Sequence, residues 1–244
     1  MRLDRYLANM GQGSRQEVRA LLKKGQVTLN GQVIKKAGQA VAENDQVAIA
    51  GQPLVFVPYV YYLLNKPAGV LTATTDQTQP TVLGLLAPTL PHYRELAPVG
   101  RLDRDTTGLL LITNDGQLAH RLLQPKYHVT KRYLATVAGL VQPELSDILA
   151  KGVKLSDFTT QPARLEILAV DTEKKQSTVA LTIAEGKYHQ VKRMLMAFDH
   201  PVLQLQRQSF GPLSLPEDLA SGAYRELTAA ELVALRASAA ETRH

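Results

Sequence analysis

The sequence predicts an α+β protein with a mainly antiparallel sheet, and three observations carry that expectation. Many short apolar runs read as strands, most of them joined by short turns, and helical periodicities fall between them irregularly instead of alternating one for one. No internal repeat is present. At 244 residues the chain can bury a substantial core, and it suits one large domain with a small companion.

Residues 1–50 read as the companion. Leu3, Leu7 and Met10 share one helical face with Tyr6 beside them, and Gly11 and Gly13 stop that helix. Ser14 and Glu17 are spaced as a capping box for a second helix, whose apolar side is Val18, Leu21 and Leu22 and whose other side carries Arg15, Arg19 and Lys23. Asn30-Gly31 lies between Leu29 and Gln32-Val33 and supplies the positive φ values of a tight hairpin. Val41 and Val47–Ile49 are expected to complete a small sheet. Residues 51–58 carry two prolines and read as a linker.

From Tyr59 the pattern changes. Val60–Leu64 is expected to be a strand, Asn65–Gly69 a turn, Val70–Thr74 a strand, Thr81–Leu86 a short helix, and residues 88–98 a proline-punctuated loop. Leu109-Leu110-Leu111-Ile112 reads as a buried strand, Gly116–Leu123 as a helix, Lys131–Val137 as a strand and Pro143–Ala150 as a helix. Strands follow at Leu165–Val170 and Thr178–Ile183. Val191, Met194, Leu195 and Phe198 mark a helix that begins with Lys192 and Arg193. A strand over Val202–Leu205 and a helix capped by Thr228 and Glu231 complete the chain.

Composition narrows the chemistry. With 28 Lys and Arg against 22 Asp and Glu the net charge is +6, which favours an anionic partner modestly. The first 58 residues hold 8 Lys and Arg against 4 Asp and Glu, so most of the excess is concentrated there. There is no cysteine, which excludes disulfides, thiolate metal sites and Cys nucleophiles. No metal site is expected, since His120 and His128 lack the spacing of a helical ligand pair and neither His189 nor His200 has an evident carboxylate companion. No phosphate-binding glycine loop or dinucleotide fingerprint is present, so no nucleotide cofactor is implied. The absence of an apolar run of about 18 residues, and of a signal peptide at the amino terminus, makes the cytoplasm the expected compartment, with no membrane partner.

The segment that demands a function is Gly100-Arg101-Leu102-Asp103-Arg104-Asp105-Thr106-Thr107-Gly108, in which two arginines and two acids sit within five residues just before the buried strand. Continued through Leu109-Leu110-Leu111 and Thr113-Asn114-Asp115-Gly116, it resembles the signature of the RsuA-type pseudouridine synthases. Leu64-Asn65-Lys66-Pro67-Ala68-Gly69 resembles the first motif of that family, and Glu185-Gly186-Lys187-Tyr188-His189-Gln190-Val191-Lys192-Arg193-Met194 resembles the motif that supplies a basic partner to the catalytic Asp. Residues 1 to about 50 are similar to the S4 RNA-binding domain. The whole resemblance runs from Met1 to about Arg236.

The resemblance implies a small S4-like domain over 1–50, a linker over 51–58, and a pseudouridine synthase catalytic domain over 59–244. It implies that Asp103 is catalytic, that Lys192 is its cationic partner, that Tyr133 faces the active site, and that Arg101 holds the space vacated by a flipped base. Asp105 lies outside the family's catalytic set and is expected to be structural. Arg2, Arg5, Arg15, Arg19 and Lys23, together with Lys66 and Arg193, are the expected RNA-binding residues. The implied reaction isomerises a uridine of ribosomal RNA, 16S or a small-subunit assembly intermediate, without a cofactor and by a monomer. A 23S rRNA synthase of the same family, an RNA N-glycosidase, and a non-catalytic S4-containing assembly factor are the competing readings.

Overall fold

The structure, a computed structural model, describes residues 1–240. The chain divides into two compact units, one of residues Met1–Val60 with Leu86–Ala97, the other of Tyr61–Leu85 with the chain from Pro98 onward.

In the first unit α1 (Leu3–Asn9) and α2 (Arg15–Lys23) precede a sheet of β1 (Val27–Leu29), β2 (Gln32–Val33), β3 (Val47–Ile49) and β4 (Gln52–Leu54). The strand order is β2-β1-β3-β4 and every pairing is antiparallel. Ser14 and Glu17 close the expected capping box, which satisfies two backbone donors at the start of α2. Asn30 and Gly31 hold positive φ at the hairpin, as a tight turn requires. Leu3, Leu7, Val18, Leu22 and Val27 form the core, because the helical and strand periodicities bring them to one face.

Two expectations for this region need correction. Part of the proposed linker is the edge strand β4, and Phe56 packs on the core. Its prolines are tolerable because Pro53 lies on an edge strand, where no further ladder donor is needed. Residues 88–95, expected simply to lead toward the charged signature, belong with the first unit. His92 is buried and donates its backbone N–H to Asn9 O at 2.5 Å, its Nε2 is 2.6 Å from Val57 O, and its ring meets Phe56 edge-on.

In the second unit the strands are β5 (Tyr61–Lys66), β6 (Ala97–Pro98, where the chain enters this unit), β7 (Thr107–Thr113), β8 (Lys131–Ala138), β9 (Arg164–Asp171), β10 (Gln176–Ile183), β11 (Val202–Phe210), β12 (Leu213–Ser214) and β13 (Tyr224–Glu226). Helices α3 (Gly116–Leu123), α4 (Glu144–Leu149), α5 (Gln190–Met196) and α6 (Ala229–Ser238) accompany them. The main path of the sheet runs β13-β5-β7-β11-β8-β10-β9, antiparallel at every step except β7 with β11. Leu109 to Ile112 are all fully buried, which is why that run does not alternate with polar residues. Val70–Thr74, expected as a strand, makes only a single parallel bridge between Leu71 and Thr81. The Thr72 hydroxyl is instead turned to the backbone of Leu102, where it donates to the carbonyl and accepts from the N–H.

Buried polar contacts tie the helices to the sheet. The Tyr61 hydroxyl in β5 donates to Asp115 Oδ2 at 2.7 Å and accepts from Arg236 of α6 at 3.2 Å. Asp115 Oδ1 caps α3 through Leu118 N. Arg225 of β13 holds Glu231 with bonds of 2.8 and 2.6 Å, and the hydrogen bond from Arg225 pulls the Glu231 pKa from 4.5 to about 2. A carboxylate favoured in the folded state stabilises fully above its unfolded pKa, and that contribution disappears as the pH falls through its folded value. Glu231→Gln should therefore lower stability near pH 7 by about 1–2 kcal/mol. Urea titrations should show this deficit shrinking between pH 4.5 and about 2, as wild type loses the same interaction.

Candidate active site

The signature loop, residues 100–106, is shaped by its neighbour in the fold, the turn after β5. Lys66 is wholly buried, and its ammonium donates to the carbonyls of Pro67 at 3.0 Å, Asp103 at 3.2 Å, Arg104 at 3.2 Å and Thr106 at 3.0 Å. Three of those four acceptors belong to the signature. Gly69 N donates to Arg104 O at 2.8 Å, and Arg104 Nε returns a bond to Gly69 O. Burial pushes the Lys66 pKa from 10.5 down to about 8, against the pull of Asp105 and Asp103. The expectation that Lys66 touches RNA is thus corrected. Its cation is enclosed by main-chain oxygens and cannot reach a phosphate.

Gly108 sets the next layer. Its φ is +99°, and a Cβ there would collide with the backbone of Arg207. The missing side chain lets β7 and β11 approach in parallel over the pairs Gln206–Thr107 and Arg207–Gly108. The buried Arg207 side chain adds a bond from Nε to Leu109 O at 2.8 Å. On its other side β11 pairs with β8, where Arg207 lies opposite Tyr133, and Tyr133 also opposes Leu181 of β10. The chain leaves β10 and turns into α5 with His189 in a left-handed conformation. Buried Gln190 donates to Glu185 Oε1 at 2.7 Å and fixes that turn.

These elements bring the charged groups together. Lys192 Nζ, from the first turn of α5, lies 3.1 Å from Asp103 Oδ2 and 2.6 Å from Asp105 Oδ1. His189 Nε2 lies 3.5 Å from Asp103 Oδ1, and the His189 ring is stacked on Tyr188 at 3.9 Å. Burial works against the Lys192 ammonium, but its hydrogen bonds to Asp105 and Asp103 outweigh that and leave its pKa above the ordinary lysine value. Its hydrogen bond holds the Asp105 carboxyl below the usual range. Asp103, Tyr133, Lys192 and His189, with Arg101 and Thr106, line a cavity of about 60 Å³. A carboxylate held by a lysine ammonium and an imidazole, beside a largely buried phenol, suits chemistry that needs an ionised acid and a proton acceptor.

Residues 60–197 match the RNA pseudouridylate synthase family, and residues 1–47 match the S4 domain. The chain belongs to the RNA pseudouridylate synthases. A Bacillus subtilis protein described as an uncharacterized RNA pseudouridine synthase is 46% identical over 95% of this chain and 97% of its own length. Ribosomal small subunit pseudouridine synthase A of Escherichia coli K12 is 39% identical over 96% of this chain and 100% of its own. Ribosomal large subunit pseudouridine synthase B of Bacillus subtilis is 40% identical over 98% and 96%. A solved pseudouridylate synthase superposes with a TM-score of 0.66 at 36% identity, covering 96% of this chain and 99% of that one.

In this synthase Asp103, Tyr133, Lys192 and Arg101 converge on one cavity. Arg193 points elsewhere. Its guanidinium pairs with Asp157 and lies over the Phe158 ring, so the exposed cation expected for RNA is engaged within the protein. In the first unit Arg2 is held by Asp4 and Arg5 by Glu95, while Arg15, Arg19 and Lys23 are exposed along α2. The reading that His189 has no carboxylate companion was mistaken, because its companion is Asp103, 86 positions earlier. A histidine beside the basic motif was the available signal, but only the left-handed turn at 189 aims it. Among the described residues no cluster of His, Cys, Asp or Glu could hold a metal ion.

The Lys66 clamp is open to test. Lys66→Met leaves carbonyls of the signature loop without a donor, each a loss of about 1–3 kcal/mol if it stays buried. The variant should unfold at lower denaturant and lose most of its saturated single-turnover rate. Lys66→Arg should not rescue it, since a longer, planar guanidinium does not fit a fully enclosed ammonium site.

Proposed function

We propose that this synthase isomerises a uridine of ribosomal RNA, with the small-subunit 16S RNA as its substrate. The observation that carries the reading is the Asp103 carboxylate held between Lys192 and His189 at the cavity that Tyr133 also lines. Support for the small subunit comes from full-length similarity to synthases of that name. The 40% identical large-subunit relative makes 23S RNA the second candidate.

In this reading the target uridine leaves the base stack so that its sugar carbon becomes accessible. Arg101, exposed at the cavity rim, holds the vacated space. Asp103 supplies the negative charge that assists cleavage of the N1–C1′ bond. The base turns, C5 bonds to C1′, the proton on C5 departs, and N1 gains a proton, so the product is an isomer and nothing is consumed. Tyr133 is placed to stack on the base and accept the C5 proton. Lys192 and His189 keep the Asp103 carboxylate aimed at the sugar.

RNA tritiated at C5 distinguishes this reaction from its rivals. Wild type should release tritium to water with no free uracil. Free uracil and an abasic site would establish an N-glycosidase, and tight binding without either product would establish an assembly factor. Sequencing for pseudouridine in 16S and 23S RNA from cells with and without the gene then assigns the target.

Two variants test the roles of single groups. Asp103→Asn should abolish release while RNA binding and melting temperature stay near wild type. Tyr133→Phe keeps the ring and should lower the saturated rate by about 10²–10⁴-fold, the usual range for loss of a general base. An undiminished rate would reduce Tyr133 to packing and stacking.

A further inference from the structure

The first unit contains a larger hollow than the active site, and part of its wall comes from far along the chain. This hollow of about 1270 Å³ is lined by α1 and α2 on one side and by residues 88–90 and 92–95 on the other. Its cations are Arg5, Arg15, Lys24 and Arg94. Its two acids are already engaged, since Glu17 closes the capping box with Ser14, and Glu95 pairs with Arg5 at 3.3 Å and lies 2.9 Å from His92 Nδ1. Arg15, Lys24 and Arg94 are exposed, and among the described residues none of the three has a carboxylate partner. The wall is held firmly by buried His92, and Gly11 lets it approach, for a Cβ on Gly11 would run into Thr89 O.

We propose that residues 86–97 form the second wall of an RNA groove on the first unit, with Arg94 meeting backbone phosphates opposite Arg15 and Lys24. The inference rests on RNA being the substrate, and it adds a contact that lies outside the matched S4 segment of residues 1–47. Three unpaired cations around an open channel suit a ribose-phosphate backbone, whose recognition is dominated by charge. Between the two walls lie the small residues Ala8, Gly11, Gly13 and Ala20, which leave room for a backbone to run between the cations. The arrangement also explains why an arginine within the 88–98 loop has no carboxylate partner among the described residues.

The test compares full-length wild type, Arg94→Ala, Arg15→Ala and Arg121→Ala, the last removing an exposed charge from α3. Affinity for a structured rRNA fragment is measured across salt concentrations. Arg94→Ala and Arg15→Ala should each flatten the plot of log affinity against log salt by about 0.7–0.9, the change for one lost phosphate contact. Arg121→Ala should leave the slope unchanged. A wild-type slope in Arg94→Ala, or an equal loss in Arg121→Ala, overturns the proposal. So does an unaltered RNA slope accompanied by weakened binding of a polyglutamate probe, which would assign the hollow to an acidic protein. Tritium release by wild type is measured in parallel. Release alongside an unchanged Arg94→Ala slope defeats the groove alone, whereas no release in wild type defeats the proposed reaction and leaves the slopes to decide the groove.

Discussion

One buried ammonium organises the candidate site. Lys66 ends β5 and reaches under the signature loop, donating to carbonyls of Asp103, Arg104 and Thr106 from below. A buried lysine is costly unless oxygen atoms replace its water. Here the oxygens come from the segment whose shape matters most, so solvation of the ammonium and construction of the loop are the same event. Burial still moves the pKa down to about 8. Arg101, Asp103 and Thr106 of the signature line the cavity, while the backbone of the loop has its bonds to the ammonium.

The second constraint is the short parallel contact between β7 and β11. Antiparallel pairing would be available from neighbours in sequence, but a parallel pair must be made by distant parts of the chain. Gly108 permits the close approach and Arg207 reinforces it through Leu109 O. That contact places β11, β8 and β10 in succession beside the signature, and the exit from β10 then delivers α5 and Lys192. A carboxylate and an ammonium 89 positions apart in sequence meet at 3.1 Å because β7, lacking a side chain at Gly108, can approach β11 closely. Asp105 shares the same ammonium at 2.6 Å, so an acid outside the family's catalytic set still takes part in holding Lys192.

The two units use charge differently. Beside Asp103 the Lys192 ammonium is paired with two carboxylates and the Lys66 ammonium with backbone carbonyls, as a site that stabilises one ionised group requires. On the first unit Arg15, Lys24 and Arg94 have no carboxylate partner among the described residues, which leaves their charge available to an anion from outside. The inclusion of residues 86–97 in the first unit also bears on any division of the protein by cutting. Removing residues 1–58 would strip His92 of its bonds to Asn9 and Val57 and leave that segment without its support.

Much of this was legible from residue order alone. The capping boxes at Ser14 and Thr228, the Asn30-Gly31 hairpin and the unbroken run Leu109–Ile112 depend on neighbours within a few positions, and the structure forms each of them. The resemblance around Asp103, Tyr133 and Lys192 likewise named residues that one cavity collects. What sequence could not decide was where a long side chain points and what lies against it. Lys66 reads as an RNA-binding residue because it lies in a turn after a strand, and only the loop folded over it makes it buried. Arg193 depends on Asp157, His189 on Asp103 and residues 88–95 on α1, all partners remote in sequence. Local pattern therefore outlined most of the elements and the resemblance named the candidate residues, while tertiary packing alone decided which charges face the cavity and which are consumed within the protein. The reason is physical: periodicity and capping act over one turn or one hairpin, whereas burial and ion pairing depend on whatever the finished fold brings within a few ångströms.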